Sequence, residues 1–517
     1  MEDDNLAPPT GQAPEPADEG EYGSYHHFLL AIRVPEAKPE VLSPRQARKY
    51  GKSHSENEQI DRALRDTVLL HELRHFHDCF GTLAGLSLFE CHMSRVTAFL
   101  SVCSQLFNDG KYLQLPLTDW ITTPECPEYV KLFVSRLATN AKLEAVFSGR
   151  VQLPVSPGPA DDIYRIFEIS PGVRVPAFPL QIRTATLFEE EGYPPEFTGH
   201  ETHWVPIGFE QLIEGNAQAL QRTYLEAVWP RISEAIWRDM TQREVLPGQE
   251  ADERQRFARS PYNVTDFLLS KYLYRQHNIR PFHRARLLEL TDRALTLGHC
   301  ARHAGKQNMR NPGGEFVLMM EAADWSRGTK RKVSQSRMGV DALKGIIDAY
   351  AAETPLPGPT DRPNIRTSAD YIWNYAIHEI ALPLLRLKLK RGDELFFEPK
   401  TYMRNYPSYP TPPIIISDAG ITTRRQEQTM EFLHHWVEFS LLSDICLQIW
   451  TGAARITCAR AYNTIPGIQH FDLCPSQGCD SAIRNRQCQP WDPAFDDPLP
   501  PCAFRRALGN LRLREPE

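Results

Sequence analysis

Apolar and polar positions along the chain fall into helical spacing over most of its length. Ile60, Leu64, Thr67, His71, His75 and Asp78 recur at intervals of three and four, which predicts the inward stripe of an amphipathic helix. Ser55 and Glu58 stand in capping-box spacing just ahead, and neither Pro nor Gly interrupts Gln59 to Leu70. One or two further helices are expected over Gly81 to Leu106, packed through Gly85, Leu86, Leu88, Met93, Val96 and Leu100. Another is expected within Thr118 to Leu143, after the turn at Pro124 to Pro127. The same spacing predicts helices over Phe209 to Leu220, Gln218 to Met240, Val264 to His277, Arg284 to Leu297, Val340 to Ala352, Tyr371 to Leu387 and Thr429 to Trp450. Pro383 should kink the Tyr371 helix.

Strand-like runs are few. His27 to Val34, Tyr164 to Ile169 and Gln181 to Phe188 read as short strands, the last two inside a Pro- and Gly-rich segment from Pro154 to Pro195. The fold class is therefore α+β and predominantly α-helical. Four regions are expected: a disordered acidic tail over 1–22, a core over 23–350 with an insertion around 107–200, a helical part over 351–452, and a Cys- and Pro-rich tail over 453–517. Phe396 to Pro413, rich in Tyr and Pro, reads as an extended wall or partner-binding loop.

Composition narrows the function class. The 517 residues carry a formal net charge of −7, which leaves no overall electrostatic footprint for nucleic acid, although Arg327 to Arg337 is a basic loop. No apolar run approaches the ~20 residues that cross a bilayer, so no membrane association is expected. The N-terminus lacks a basic-then-apolar leader, and a cytoplasmic location follows as the default. Cys79, Cys91 and Cys103 read as reduced core thiols, whereas Cys474, Cys479, Cys488 and Cys502 are candidates for a structural Zn²⁺.

The chemistry concentrates in His71-Glu72-Leu73-Arg74-His75. On a helix, His71 and His75 stand one turn apart on one face, where two imidazoles can share a Zn²⁺. Glu72 then lies beside the ion, placed to take a proton from a water as it attacks a carbonyl. Asp78, on the same face, can be a third ligand or the helix partner of Arg74. His77 points elsewhere, as a supporting or an exposed residue.

Downstream, Phe209-Glu210-Gln211-Leu212-Ile213-Glu214-Gly215-Asn216-Ala217 is helical in pattern. With the His-Glu-x-x-His stretch, it resembles the gluzincin-type zinc metallopeptidases, in which a Glu on a second helix completes the site. The resemblance implies a zincin-like core with a small sheet, Zn²⁺ as cofactor, Glu214 as third ligand, Glu72 as catalytic base and a protein or peptide as substrate. It covers two short segments, separated by 214 − 75 = 139 residues. His200 and His203 lie between them, in what reads as an exposed loop. His203 is the better cleft residue or alternative ligand. A His or Tyr stabilises the oxyanion in related hydrolases, and Tyr262, Tyr272 and Tyr274 are possible donors here.

Two other readings stay open. Glu72-x-x-His75 is matched by Glu431-Phe-Leu-His434, and paired Glu-x-x-His motifs with further carboxylates are the ligand set of helical di-iron oxidoreductases. A zinc-binding regulatory protein without turnover would carry the same residues as a peptidase.

Overall fold

The computed structural model describes residues 24–26, 30–34, 41–151, 153, 164–170, 173–183, 200–236, 281–298, 311–323, 344–345, 347–352, 365–391, 399–417, 420–423, 429–450, 452–453 and 511. Helix accounts for 73% of them, and the rest includes two small sheets, so the class is α+β with helices dominant. The elements run β1 (Ser24–His26), β2 (Ala31–Arg33), α1 (Pro44–Tyr50), α2 (Glu56–Phe80), α3 (Leu83–Asn108), α4 (Leu117–Trp120) and α5 (Glu128–Ser148). Then come β3 (Arg165–Ser170), β4 (Val173–Arg183), β5 (His200–Pro206), α6 (Phe209–Val228), α7 (Pro281–Leu297) and α8 (Pro312–Ala322). Last are α9 (Ile365–Tyr375), a π-helical turn (Ala376–Ala381), α10 (Leu382–Arg391), α11 (Pro399–Asn405), β6 (Ile414–Ser417), β7 (Gly420–Thr423) and α12 (Thr429–Trp450).

The expected start of α2 is present. The Ser55 side chain accepts from the Glu58 amide, and Glu58 accepts in return from the Ser55 amide at 2.7 Å. The single buried stripe holds only for the first half of the helix. From Leu69 to Phe80 every residue is buried, because packing neighbours surround the helix on all sides. Strands β1 and β2 lie against it, α3 folds back after the Gly81 break, and α6 runs along its length. Gly81 to Leu106 forms one helix, α3, rather than two.

The first sheet has the order β1-β2-β6-β7. Its central pair is parallel, with Ala31 opposite Ile414 and Arg33 opposite Ile416, so the two ends of the chain share one sheet beside α2. The second, β3-β4-β5, is antiparallel throughout. Strand β4 begins at Val173 rather than Gln181, and residues 184–188 of the expected strand lie outside the described set. His200 and His203 are not in a loop: both belong to β5, where Arg183 pairs with His200 and Leu180 with His203. The pairing with β4, invisible to local turn signals, makes this a strand.

Two segments differ from expectation in the C-terminal third. Phe396 to Pro413 is not an extended wall, since Pro399 opens α11, which packs on α6, and the fully buried Tyr402 anchors it to His77 and Arg74 of α2. The Tyr371 helix is broken by the π turn just before Pro383. A proline inside a helix brings no amide hydrogen for the turn before it, and the ladder here changes to the wider π spacing just ahead of Pro383. Cys79 and Cys103 are buried free thiols and Cys91 is a half-buried one, in keeping with reduced core cysteines. No helix among the described residues is long and apolar enough to cross a membrane. The 453–517 tail is outside the described set except for 453 and 511, and with it the four tail cysteines. Val264–His277, Tyr262, Tyr272, Tyr274 and the basic loop are also outside it.

Three helix ends meet through glycines. Gly149, at φ +80°, ends α5; Gly208 precedes α6; Gly313 lies in the first turn of α8. A Cβ at Gly208 would strike the Gly149 backbone, and one at Gly313 would strike the Ile207 carbonyl. Gln211 closes the junction, accepting from the Gly208 amide at 2.8 Å and donating to the Gly149 carbonyl at 3.3 Å. Gly313→Ala should therefore lower stability by about 1–3 kcal/mol, the usual range for overpacking. Chemical denaturation checks this, and an unchanged midpoint would show that the junction is not tightly packed.

Candidate metal centre

Helices α2 and α6 run antiparallel, and polar cross-links fix their register. Tyr224 donates to Asp66, Gln221 donates to the Thr67 carbonyl at 3.3 Å, and Asn216 donates to Asp78 at 3.2 Å. Tyr224 also reaches the Leu42 carbonyl at 3.1 Å, while the Leu42 amide and Arg62 hold Asp66 at 3.2 and 3.0 Å. Partners advance along α2 as they retreat along α6, and Glu214 stands two residues beyond the Asn216 rung.

From there its carboxylate reaches back to the His71–His75 turn. Glu214 Oε2 is 3.1 Å from His71 Nε2 and 3.2 Å from His75 Nε2, and the two imidazole nitrogens are 2.8 Å apart. The rings meet edge to face, with centroids 4.4 Å apart. Donors bound at ~2.0–2.2 Å around a tetrahedral ion stand roughly 3.3–3.6 Å from one another. The observed triangle is that triangle slightly contracted, and the donor set of two imidazoles and one carboxylate suits Zn²⁺. Among the described residues this is the one group of three or more His, Cys, Asp or Glu side chains with such convergence.

Electrostatics ask for positive charge at the same point. Burial opposes a charged His75, but Glu214, by its charge and hydrogen bond, with Glu72 and Asp78 behind it, raises His75 to about 9. Burial likewise opposes a charged Glu214, yet the two histidines hold its carboxyl well below the usual carboxylate range. A proton on His75 or a divalent cation between the three groups satisfies this field.

The flanking residues on α2 hold the centre from behind. Asp78 is not aimed at the cluster: Arg74 reaches it through Nε at 3.0 Å and Nη2 at 2.8 Å, and Asn216 takes its other bond. The helix-partner reading of Asp78 is the one observed. His77 is neither exposed nor near the triangle. Its Nε2 donates to the Pro410 carbonyl at 2.7 Å, so its Nδ1 accepts from Tyr402 at 2.6 Å. Burial, with Arg74 nearby, pushes His77 down to about 3 despite the Pro410 bond, so it stays neutral. Arg74 also lies over the Tyr402 ring, 5.2 Å from its centroid. Behind these groups the buried Lys388 on α10 binds Asp292 on α7 at 2.9 Å and Thr296 at 2.6 Å.

Glu72 is buried beside the histidines. The side chain of His203 lies outside the described set, as do those of Glu431 and His434. Their helix, α12, packs mainly on α9 and α3. Sequence reasoning passed over Asn216, Tyr402 and Glu210. Only Glu210 carried a signal, standing four residues before Glu214 on one helix.

Exposure rises steadily outward from the triangle. The side chain is 5% exposed at His75, 10% at His71, 20% at Glu214, 27% at Glu210 and 61% at Arg150, the ion-pair partner of Glu210. The charged groups thus become more exposed towards the α6 N-terminus. The chain matches no protein-family model, no curated protein and no solved structure.

The raised His75 value sets a stability test for protein freed of metal by a chelator. A folded-state pKa above the ordinary 6.5 contributes stability that is complete below pH 6.5 and disappears as pH rises through about 9. The melting temperature of the chelated protein should fall across that window, and Glu214→Gln should flatten the fall. Identical profiles for the two proteins would contradict the coupling.

Proposed function

We propose that the protein is a zinc-dependent metallohydrolase, a peptidase acting on protein or peptide substrates. The observation that carries the reading is the convergence of His71, His75 and Glu214 from two helices on one point. When bound there, Zn²⁺ would acidify a water and polarise a carbonyl. His71, His75 and Glu214 would hold the ion. Glu72, one residue along α2 from His71, receives the proton at its carboxylate and passes it to the leaving amine. Asp78 and Asn216 link the two helices, and the Tyr402–His77 bond ties α11 to α2.

The di-iron alternative is less well supported. It leaves His71 without a role, whereas His71 is one of the three convergent groups. A zincin-like core remains part of the proposal, supported by a helix bearing the His pair, a second helix bearing the Glu, and a small sheet beside the first.

Metal analysis and turnover separate these readings. The full chain should carry one Zn²⁺ per molecule, or two if Cys474, Cys479, Cys488 and Cys502 hold another, and Glu214→Ala should lose one. Two irons with a near-ultraviolet band would support the di-iron alternative. Glu72→Gln should keep fold and zinc while lowering hydrolysis by at least ~100-fold. Cells expressing the parent should show new protein N-termini absent from cells expressing Glu72→Gln. Equal sets of N-termini would sink the peptidase assignment and leave a zinc-binding regulatory protein.

A further inference from the structure

The outward slope from the triangle ends on a guanidinium held in place by the glycine junction. Arg150 follows Gly149 at the end of α5, and its amide donates to the Ala145 carbonyl at 2.8 Å. Gln211 ties the Gly149 carbonyl to the start of α6, while Asn311 donates to the Val146 carbonyl at 3.2 Å. The backbone of Arg150 is thereby fixed relative to α6. Its Nη2 meets Glu210 Oε1, and Glu210 lies four residues, about 6 Å of helix, from Glu214. Glu144, itself paired with Arg95 at 2.7 Å, adds its charge nearby.

Glu210 engages one terminal nitrogen of the guanidinium. The group has five N–H donors in a planar fork suited to a carboxylate, and most of the side chain faces solvent. A fully structural ion pair could bury both partners; this one leaves its cation exposed beside the centre. The acidic member is less exposed, at 27%, and close enough to Glu214 to feel its charge.

We propose that Arg150 determines substrate specificity by receiving a substrate carboxylate, either the C-terminal carboxylate of a peptide or an Asp or Glu side chain. The inference rests on the hydrolase reading of the same site. Arg150 stands roughly 10 Å from the triangle, one helical turn plus an ion pair away, so the carboxylate lies within about three extended residues of the scissile bond.

The test uses the full chain loaded with Zn²⁺ and a random-sequence peptide pool made in four versions: free or amidated C-terminus, each with or without Asp and Glu. Wild type should favour peptides that carry a carboxylate, and the arm that matters identifies the source. Arg150→Ala should lower kcat/KM for those peptides about 10- to 100-fold, mainly through KM, and leave carboxylate-free peptides unaffected. Arg150→Lys should recover part of the loss. No preference in wild type, or the same preference in Arg150→Ala, overturns the proposal.

Binding to the Glu72→Gln protein, with and without Arg150→Ala, provides a readout independent of turnover. Arg150-dependent capture of carboxylate peptides without cleavage by wild type would uphold the recognition role and refute the hydrolase. Cleavage without Arg150-dependent selection would do the reverse.

Discussion

The structure depends on the antiparallel seam between α2 and α6. Two imidazoles one turn apart define only an edge, and the third corner comes from a helix 139 residues later, as 214 − 75 gives. What holds the two helices together is a ladder of polar bonds from Asp66–Tyr224 at one end to Asp78–Asn216 at the other, with Glu214 two residues past the last rung. Each rung buries groups that would be costly to leave unsatisfied, so a slip of one turn would orphan several at once. Register is thus defended along the whole seam rather than at the cluster alone.

Around this seam the charges are arranged in two layers. Next to solvent lie Arg150, Glu210 and the carboxylate face of Glu214; behind the histidines lie Arg74, Asp78, Asp292 and Lys388, all buried. Buried ion pairs of the second kind rarely add much stability over apolar packing, but removing one member is severe. Of these groups, Asp78 also takes the Asn216 bond that crosses from α6 to α2. The neutral His77, with a defined tautomer, belongs to the same bracing layer and ties α2 to a segment more than three hundred residues away.

Local physics made one half of the candidate site legible. The Ser55–Glu58 cap, the uninterrupted run behind it and the one-turn spacing of His71 and His75 are properties of a single helix, and helical periodicity reads them directly. Glu214 was reachable only through resemblance, because no local rule links residues so far apart. His200–His203 was misread as a loop, since its strand character comes from β4. The Tyr- and Pro-rich segment was misread as extended because burial of Tyr402, rather than propensity, makes α11. Nothing in the sequence around Arg150 marks it out; only the folded junction of three glycines puts it near Glu210.

The parallel pair β2–β6 imposes an order in time. Ala31 waits for Ile414, 414 − 31 = 383 residues later, which at ordinary elongation rates is roughly 20 to 80 s of translation. Throughout that interval the nascent chain exposes an apolar strand edge whose intended mate has not yet been made, the kind of template on which chains stick to one another. A polypeptide that ends before Ile414 lacks the mate of β2 and cannot close its first sheet.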